Sequence, residues 1–569
     1  MSLPLSMLAA APADLDLEVA AGEMPAAIGG EIFVSAPDPA TPGDYRLFGE
    51  GLVFRLSLAP GTHGAGEGRY AWRHRRIDTP SVRLRDKRPA AFAPGPTGMM
   101  SSYGAPNLAN TAPLPWGERM FVTWDVGRPL EIDPVTLEFV AEVGHKDQWG
   151  SFLPGLLPFV FSTAHPVVDP ERGCMWTVRQ LPSEMAPRMV MQPWVVRWGG
   201  EGPDIDMWPV ENARVPGMMH TITQTRDWLL LAESGMFRPD AGEIAGQDRS
   251  VTNDAAATVY LVRKDLLDQT PPGQAVVAEE FVVAPEFGHY YARYDDTDGI
   301  EVIFEHQELM DLGLKIRPQD RDLLGRPVDL PGFYGQGMAP AAASVISFDP
   351  ESGKQNDIAV LRDPDRYWNL QLSTMDWSAE GQSAPTLHHI VMHGYRPQTI
   401  TQRALALYED RVDRSILGDE ETPARLISVE RDGLGLVGDH EYAVEDLPTS
   451  PTFVPRDPGA AGRSRYAGSD PGGHDGWVVV PVLRDAGFHV DVFDAARAGD
   501  GPVCTLAAPA GAQVPLLLHS AWMPSAGSAP DADRLRFADE ATDEALTALP
   551  DDLAAAAREV RSDLDARQA

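Results

Sequence analysis

Four histidines of this 569-residue chain stand in comparable local settings. His165 lies in Phe161-Ser-Thr-Ala-His-Pro-Val-Val-Asp-Pro170, His220 in Gly217-Met-Met-His-Thr-Ile-Thr223, His289 in Glu286-Phe-Gly-His-Tyr-Tyr-Ala292, and His519 in Pro515-Leu-Leu-Leu-His-Ser-Ala-Trp-Met-Pro524. Each closes an apolar run or borders a turn signal, where extended chain gives way to a reversal. A single His serves many polar roles and says little by itself. Four imidazoles meeting at one point would hold a borderline transition metal such as iron(II) and leave positions open for oxygen. A second group, His388, His389 and His393, competes for the same role. On a helix His389 and His393 would share a face. No acidic general base stands between them in the zincin manner, however, and Gly394 weakens a helix there.

The elements that must carry these residues read as β-structure. Short extended runs recur, as in Gly51–Leu58, Arg119–Trp124, Met175–Val178, Thr258–Val262 and Trp477–Leu483. Asp-Pro turn signals separate them at Asp133-Pro134, Asp169-Pro170 and Asp349-Pro350. Many short strands with frequent turns indicate an all-β fold, and the length of the chain favours a propeller over a sandwich. No sharp repeat marks blades. Helix is expected over Pro397–Val412 and again around Asp551–Val560, in an acidic, Ala-rich tail that follows a turn-prone linker after Pro524. Residues 1–23 read as a lead-in, because they lack the basic start of a signal peptide.

Composition narrows the function classes. A net charge of −36 and a pI near 4.7 argue against nucleic acid or an anionic membrane as partner. Two cysteines, Cys174 and Cys504, cannot build a disulfide framework, which fits a reducing, cytoplasmic setting. No apolar run reaches the length of a membrane span, although peripheral contact through an apolar patch is compatible with the chain.

Several stretches together resemble the carotenoid cleavage oxygenase family, which includes the retinal-pigment isomerohydrolase and stilbene-cleaving enzymes. Met24-Pro-Ala-Ala-Ile-Gly-Gly-Glu-Ile-Phe33 with Ala36-Pro-Asp-Pro39 is similar to the family's opening, and Phe48-Gly-Glu-Gly-Leu52 to its "FdGdGm". Trp124-Asp-Val-Gly-Arg-Pro-Leu130, Ala164-His-Pro-Val-Val-Asp-Pro170, Met218-Met-His-Thr221, His289-Tyr-Tyr-Ala-Arg-Tyr294, Phe453-Val-Pro-Arg456 and Leu518-His-Ser-Ala-Trp-Met-Pro524 continue the resemblance in family order. It spans Met24 to Pro524 with gaps. The resemblance implies a seven-bladed β-propeller, residues 24–524, with iron(II) on its axis under a cap of helices and loops. It assigns His165, His220, His289 and His519 as the ligands. The expected reaction inserts oxygen across a carbon–carbon double bond of an apolar alkene, giving two carbonyl products.

In the family, carboxylates behind the ligands accept their second ring N–H and fix tautomer and orientation. Asp125 stands in place of the first such glutamate. The last falls on Ser450, with Glu445 and Asp446 close enough upstream to substitute, and the middle one has no match by motif. Trp124, Phe161, Phe237 and Tyr290 are candidates to line a substrate tunnel. Stilbene-cleaving members carry a Lys near the first acid together with a Tyr. Trp124-Asp125-Val126 offers no Lys, and Tyr103 has no clear counterpart, which favours a carotenoid or apocarotenoid-like polyene over a phenolic stilbene. Cleavage of a smaller aryl alkene, isomerisation at the same iron, and binding of an apolar ligand without turnover are the alternatives.

Overall fold

The computed structural model describes residues 8–43, 45–92, 100–184, 189–238, 240, 247–328, 332–374, 386–456 and 474–568. The anticipated extended runs are strands Gly51–Ser57, Arg119–Thr123, Cys174–Glu184, Ala257–Arg263 and Gly476–Arg484. The Asp-Pro signals close hairpins by one local device. Asp133 Oδ1 accepts the backbone N–H of Val135 and Thr136, Asp169 Oδ1 those of Glu171 and Arg172, and Asp349 Oδ1 those of Glu351 and Ser352. A short carboxylate thus turns the chain wherever its own backbone must reverse.

Among the described residues, strand pairing gives an all-β, propeller-like arrangement of five four-stranded antiparallel sheets and one ten-stranded sheet. Seven separate blades are therefore not what the pairing shows. The reason lies in the segment expected to be a lead-in. Leu15–Gly22 is a strand that bonds on one side to Tyr70–Arg76 and on the other to Cys504–Ala507, joining sheets from the two ends of the chain. Close by, Glu31–Pro37 pairs with Ser520–Met523, the strand that follows His519.

Burial runs from axis to rim. The first strand of three sheets, Val167–Asp169, Ile222–Gln224 and His289–Ala292, is buried throughout, and these strands meet one another between sheets. At the opposite edge Lys354–Arg362 is almost wholly exposed. Apolar side chains fill the space between sheets, including the buried Trp72, Trp176, Trp208 and Trp477. Truncating any one of them to Ala should cost about 3–5 kcal/mol.

Helix is a minority. The run expected to be one helix over Pro397–Val412 is a 3-10 turn, Pro397–Thr399, followed by a short helix, Gln402–Leu407. Thr401 interrupts it because its hydroxyl accepts the Ala404 N–H at 3.1 Å and caps the new helix. This segment packs with the loop-rich stretch around Leu309 and Met338. The tail forms the helix Asp551–Gln568, longer than expected. No helix among the described residues is long and apolar enough to cross a membrane.

Candidate metal centre

His165, His220, His289 and His519 converge, each offering a ring nitrogen within 4.8 Å of the others. All four stand at or just before the start of a strand: Val167–Asp169, Ile222–Gln224, His289–Ala292 and Ser520–Met523. Pro166 and the bridge from His165 to Thr221 set the first two side by side, with the N–H of His165 donating to the carbonyl of His220 at 3.2 Å. His165, His289 and His519 are buried, while the His220 side chain keeps 12% exposure.

Tautomers follow from the partners. Nδ1 of His220 donates to Asp125 Oδ1 at 2.9 Å. Nδ1 of His289 faces Glu305 Oε2 at 3.5 Å. Both Nε2 atoms are then lone pairs, yet they face each other at 3.2 Å. Two acceptors at that distance repel unless a cation lies between them. For metal–nitrogen bonds of about 2.1 Å, two ligands at right angles are separated by about 3.0 Å. Both ring nitrogens of His165, and Nδ1 of His289 and of His519, are buried with no hydrogen-bond partner in the protein. Orphaned buried nitrogens are costly, and a shared metal ion would satisfy those that face the centre. The residues fit a metal.

Burial pushes the pKa of His165 and His519 well below the ordinary value, reinforced by the other imidazoles, and burial lowers His289 too despite Glu305. These rings are neutral and have lone pairs to give. Burial alone would raise Glu305, but the adjacent His289 and His388 rings outweigh it and hold the carboxyl down to about 2.

Glu305 is the acid that motif reading failed to locate. It lies on the strand Ile300–His306, directly opposite His289 in the antiparallel ladder. One signal was present: an acid within the apolar run Ile300-Glu-Val-Ile-Phe-Glu-His306 is expensive to bury unless partnered. The rival histidines resolve around it. Leu387–Met392 is a strand, so the helical spacing of His389 and His393 has no meaning. His388 Nε2 meets Glu305 Oε1 at 3.1 Å, His389 Nδ1 meets the Ser428 hydroxyl at 2.7 Å on the other face, and His393 Nε2 donates to the Pro448 carbonyl at 2.8 Å. They do not form a second metal site.

The acid sought near His519 has no counterpart in the upstream loop. Asp446 pairs with Arg484 at 3.2 Å, and Glu445 lies half-buried with its charge near Arg396. Ser450 instead meets the Ser520 hydroxyl at 2.7 Å, beside His519.

A cavity of about 980 Å³, counting its open mouth, reaches His220, His289 and His519. Trp124 and Phe237 line it, with Phe48 wedged edge-on between them at ring separations of 6.4 and 6.5 Å. Met310, Leu312 and Tyr334 bring the loop-rich layer to the same wall. Phe161 and Tyr290, expected to line the tunnel, do not. Phe161 packs on Phe159 at 4.8 Å, and the Tyr290 hydroxyl is spent on the Thr221 carbonyl at 2.8 Å, inside the core. Tyr103 lies outside the cavity as well, donating to the Leu553 carbonyl of the tail helix.

The retinal pigment epithelial membrane protein family matches residues 7–524. A solved variant of the Synechocystis apocarotenoid oxygenase shares 15% identity at a TM-score of 0.59, covering 91% of this chain and 98% of that one. The Pseudomonas brassicacearum lignostilbene dioxygenase shares 17% at 0.60, covering 90% and 96%. A cobalt-substituted form of the Synechocystis enzyme shares 14% at 0.57, covering 91% and 98%. None of the curated proteins matches the chain. With matching motifs in order, four convergent histidines and a family match over nearly its whole length, the chain belongs to the retinal pigment epithelial membrane protein family, the carotenoid cleavage oxygenases that its motifs resemble.

Proposed function

We propose that this protein is a non-haem iron(II) oxygenase that cleaves a carbon–carbon double bond of a carotenoid- or apocarotenoid-like polyene to give two carbonyl products. The enzyme class, an oxygen-incorporating oxidoreductase, comes with the family. The observation that carries the metal is the pair of Nε2 lone pairs of His220 and His289 facing each other at 3.2 Å. Iron is the metal typical of the family. When bound, it supplies a centre at which O2 is activated against an alkene.

The chain's own residues do the rest. Asp125 accepts the Nδ1 hydrogen of His220, and the Glu305 carboxylate 3.5 Å from Nδ1 of His289 favours a proton there, so both Nε2 lone pairs point inward. Neutral His165 and His519 complete a donor set that leaves the metal's positive charge uncancelled. Phe48, Trp124 and Phe237 form an aromatic wall that excludes water and suits an extended, apolar substrate. A polyene is favoured over a phenolic stilbene because Trp124-Asp125-Val126 provides no Lys, and Tyr103 is committed to the tail helix. The lignostilbene dioxygenase likeness supports a smaller aryl alkene as the second reading. We count the ten-stranded sheet as two blades stitched through Leu15–Gly22, which makes seven with the five four-stranded sheets; the double pairing of that strand supports this count. A cytoplasmic location, with substrate taken up at a membrane surface, completes the reading.

Metal analysis of the purified protein beside His519→Ala tests it. Near-stoichiometric iron in the parent, its loss in the variant, and oxygen-dependent formation of paired carbonyl products from a polyene are the expected results. A parent that takes up no iron on anaerobic reconstitution would leave a propeller that binds an apolar ligand without cleaving it.

A further inference from the structure

Between strands Arg119–Thr123 and Leu130–Ile132 runs the loop that carries Asp125. Its inner side is tied by Ser162, whose N–H donates to the Asp125 carbonyl at 2.7 Å and whose hydroxyl lies 3.0 and 2.5 Å from the Trp124 and Gly127 carbonyls, its one hydrogen available to either. Its outer end is Arg128, with a side chain only 2% exposed. Nη1 of Arg128 donates to the Gly144 carbonyl at 2.7 Å, and Nη2 to Glu142. The guanidinium also grips Glu540 with both arms, at 2.6 and 2.9 Å. Glu540 is 412 residues away in sequence, beyond the family match that ends at Pro524.

The C-terminal segment is docked well enough to hold that grip. Leu553, Ala557, Val560 and Leu564 of its last helix bury a stripe at helical spacing in the cluster that contains Leu84 and Tyr103. Arg534 makes a two-armed pair with Glu131 at 2.8 and 2.9 Å, on the strand that follows the loop. The N–H of Lys146 donates to Glu540 Oε1 at 2.6 Å, fixing the carboxylate from the other side. Losing one carboxylate of a buried charge pair is costly, and without Glu540 the Arg128 guanidinium is held by Glu142 and the Gly144 carbonyl alone. Asp125 is three residues from Arg128 and has one methylene fewer than the glutamate of the family pattern. Such a short arm cannot make up for a displaced backbone.

We infer that the C-terminal segment is a positioning element of the metal centre: Glu540, by clamping Arg128, holds the Asp125 loop where the short aspartate reaches His220. The inference rests on the four-histidine reading above. Cobalt(II), titrated at equilibrium into the metal-stripped full-length protein and followed by its visible spectrum, is the probe. Asp125→Asn sets the scale of a lost support to His220. Glu540→Gln should weaken cobalt(II) binding about tenfold, the lower end for lost support behind a ligand, and shift the spectrum in the same direction as Asp125→Asn. Glu540→Asp should fall between Gln and the parent. Glu559→Gln, which loosens the tail at Lys87 without touching Arg128, should bind as the parent does. Equal affinity and spectra for the parent, Glu540→Gln and Glu540→Asp, with Asp125→Asn weakened, would overturn the clamp and leave the metal centre standing. A parent that binds no cobalt(II) would overturn the metal centre, and the clamp with it.

Discussion

The two halves of the four-histidine cluster are built differently. His220 and His289 are backed by carboxylates, Asp125 and Glu305, which set tautomer and ring orientation before any metal arrives. His165 and His519 have no such backing, and their rings are held by packing and by the backbone hydrogen bonds of the segments that carry them. Glu305 is shared with His388, which anchors it in the neighbouring sheet, whereas Ser450 and Ser520 satisfy each other beside His519. One half is preorganised by charge and the other by shape. A carboxylate facing a ring N–H resists rotation of the ring more strongly than neutral contacts do.

Removing a ligand breaks both halves alike. His220→Ala and His519→Ala should each lower iron affinity by more than about 100-fold, beyond what a lost supporting bond costs, as metal analysis after dialysis would show. The comparison sharpens with Glu305→Gln. It removes the charge that serves both His289 and His388, and should cost about 10–100-fold in iron affinity together with about 1–3 kcal/mol of stability, read by metal titration and urea unfolding. Asp125→Asn should cost about tenfold, because Asp125 has one imidazole partner where Glu305 has two.

Acid separates the imidazoles from the carboxylate. In the metal-stripped protein, His165, His289 and His519 refuse protons that the unfolded chain accepts below about pH 6.5, so stability present above that pH falls as the solution is acidified. Glu305, depressed from 4.5 to about 2, adds stability that is present above about pH 4.5 and lost as the pH drops toward 2, on the order of 3 kcal/mol. Glu305→Gln should abolish the lower step and leave the upper one, measured by thermal unfolding across pH. The smallest expected effect is a gain. Ser450→Glu, restoring an acid where the family pattern has one, should raise iron affinity a few-fold if support behind His519 is what that half lacks.

Much of this centre was legible from residues close together in the chain. Each of the four convergent histidines sits in its own short motif, and the Asp-Pro hairpins close through bonds that span two or three residues. Asp125 was readable for the same reason, lying in a motif of its own. Glu305 was not, although its burial cost was visible, because alternation along a strand tells which face a side chain takes and never which strand will stand opposite. The tunnel residues divide likewise. Trp124 and Phe237 face the cavity while Phe161 and Tyr290, no less aromatic, are taken up by the core.

What the sequence determined by itself, then, was the local chemistry: which residues can bind a metal, where the chain turns, and to which family those motifs belong. Tertiary structure alone decided the long-range pairings. Leu15–Gly22 became a strand because Cys504–Ala507 lies beside it, His388 a support for Glu305 rather than a ligand, and the tail a brace for Arg128. Each of these joins groups many residues apart, whose meeting depends on the register of whole sheets. No periodicity in a single chain specifies that register, since it is settled by the packing of all the strands at once.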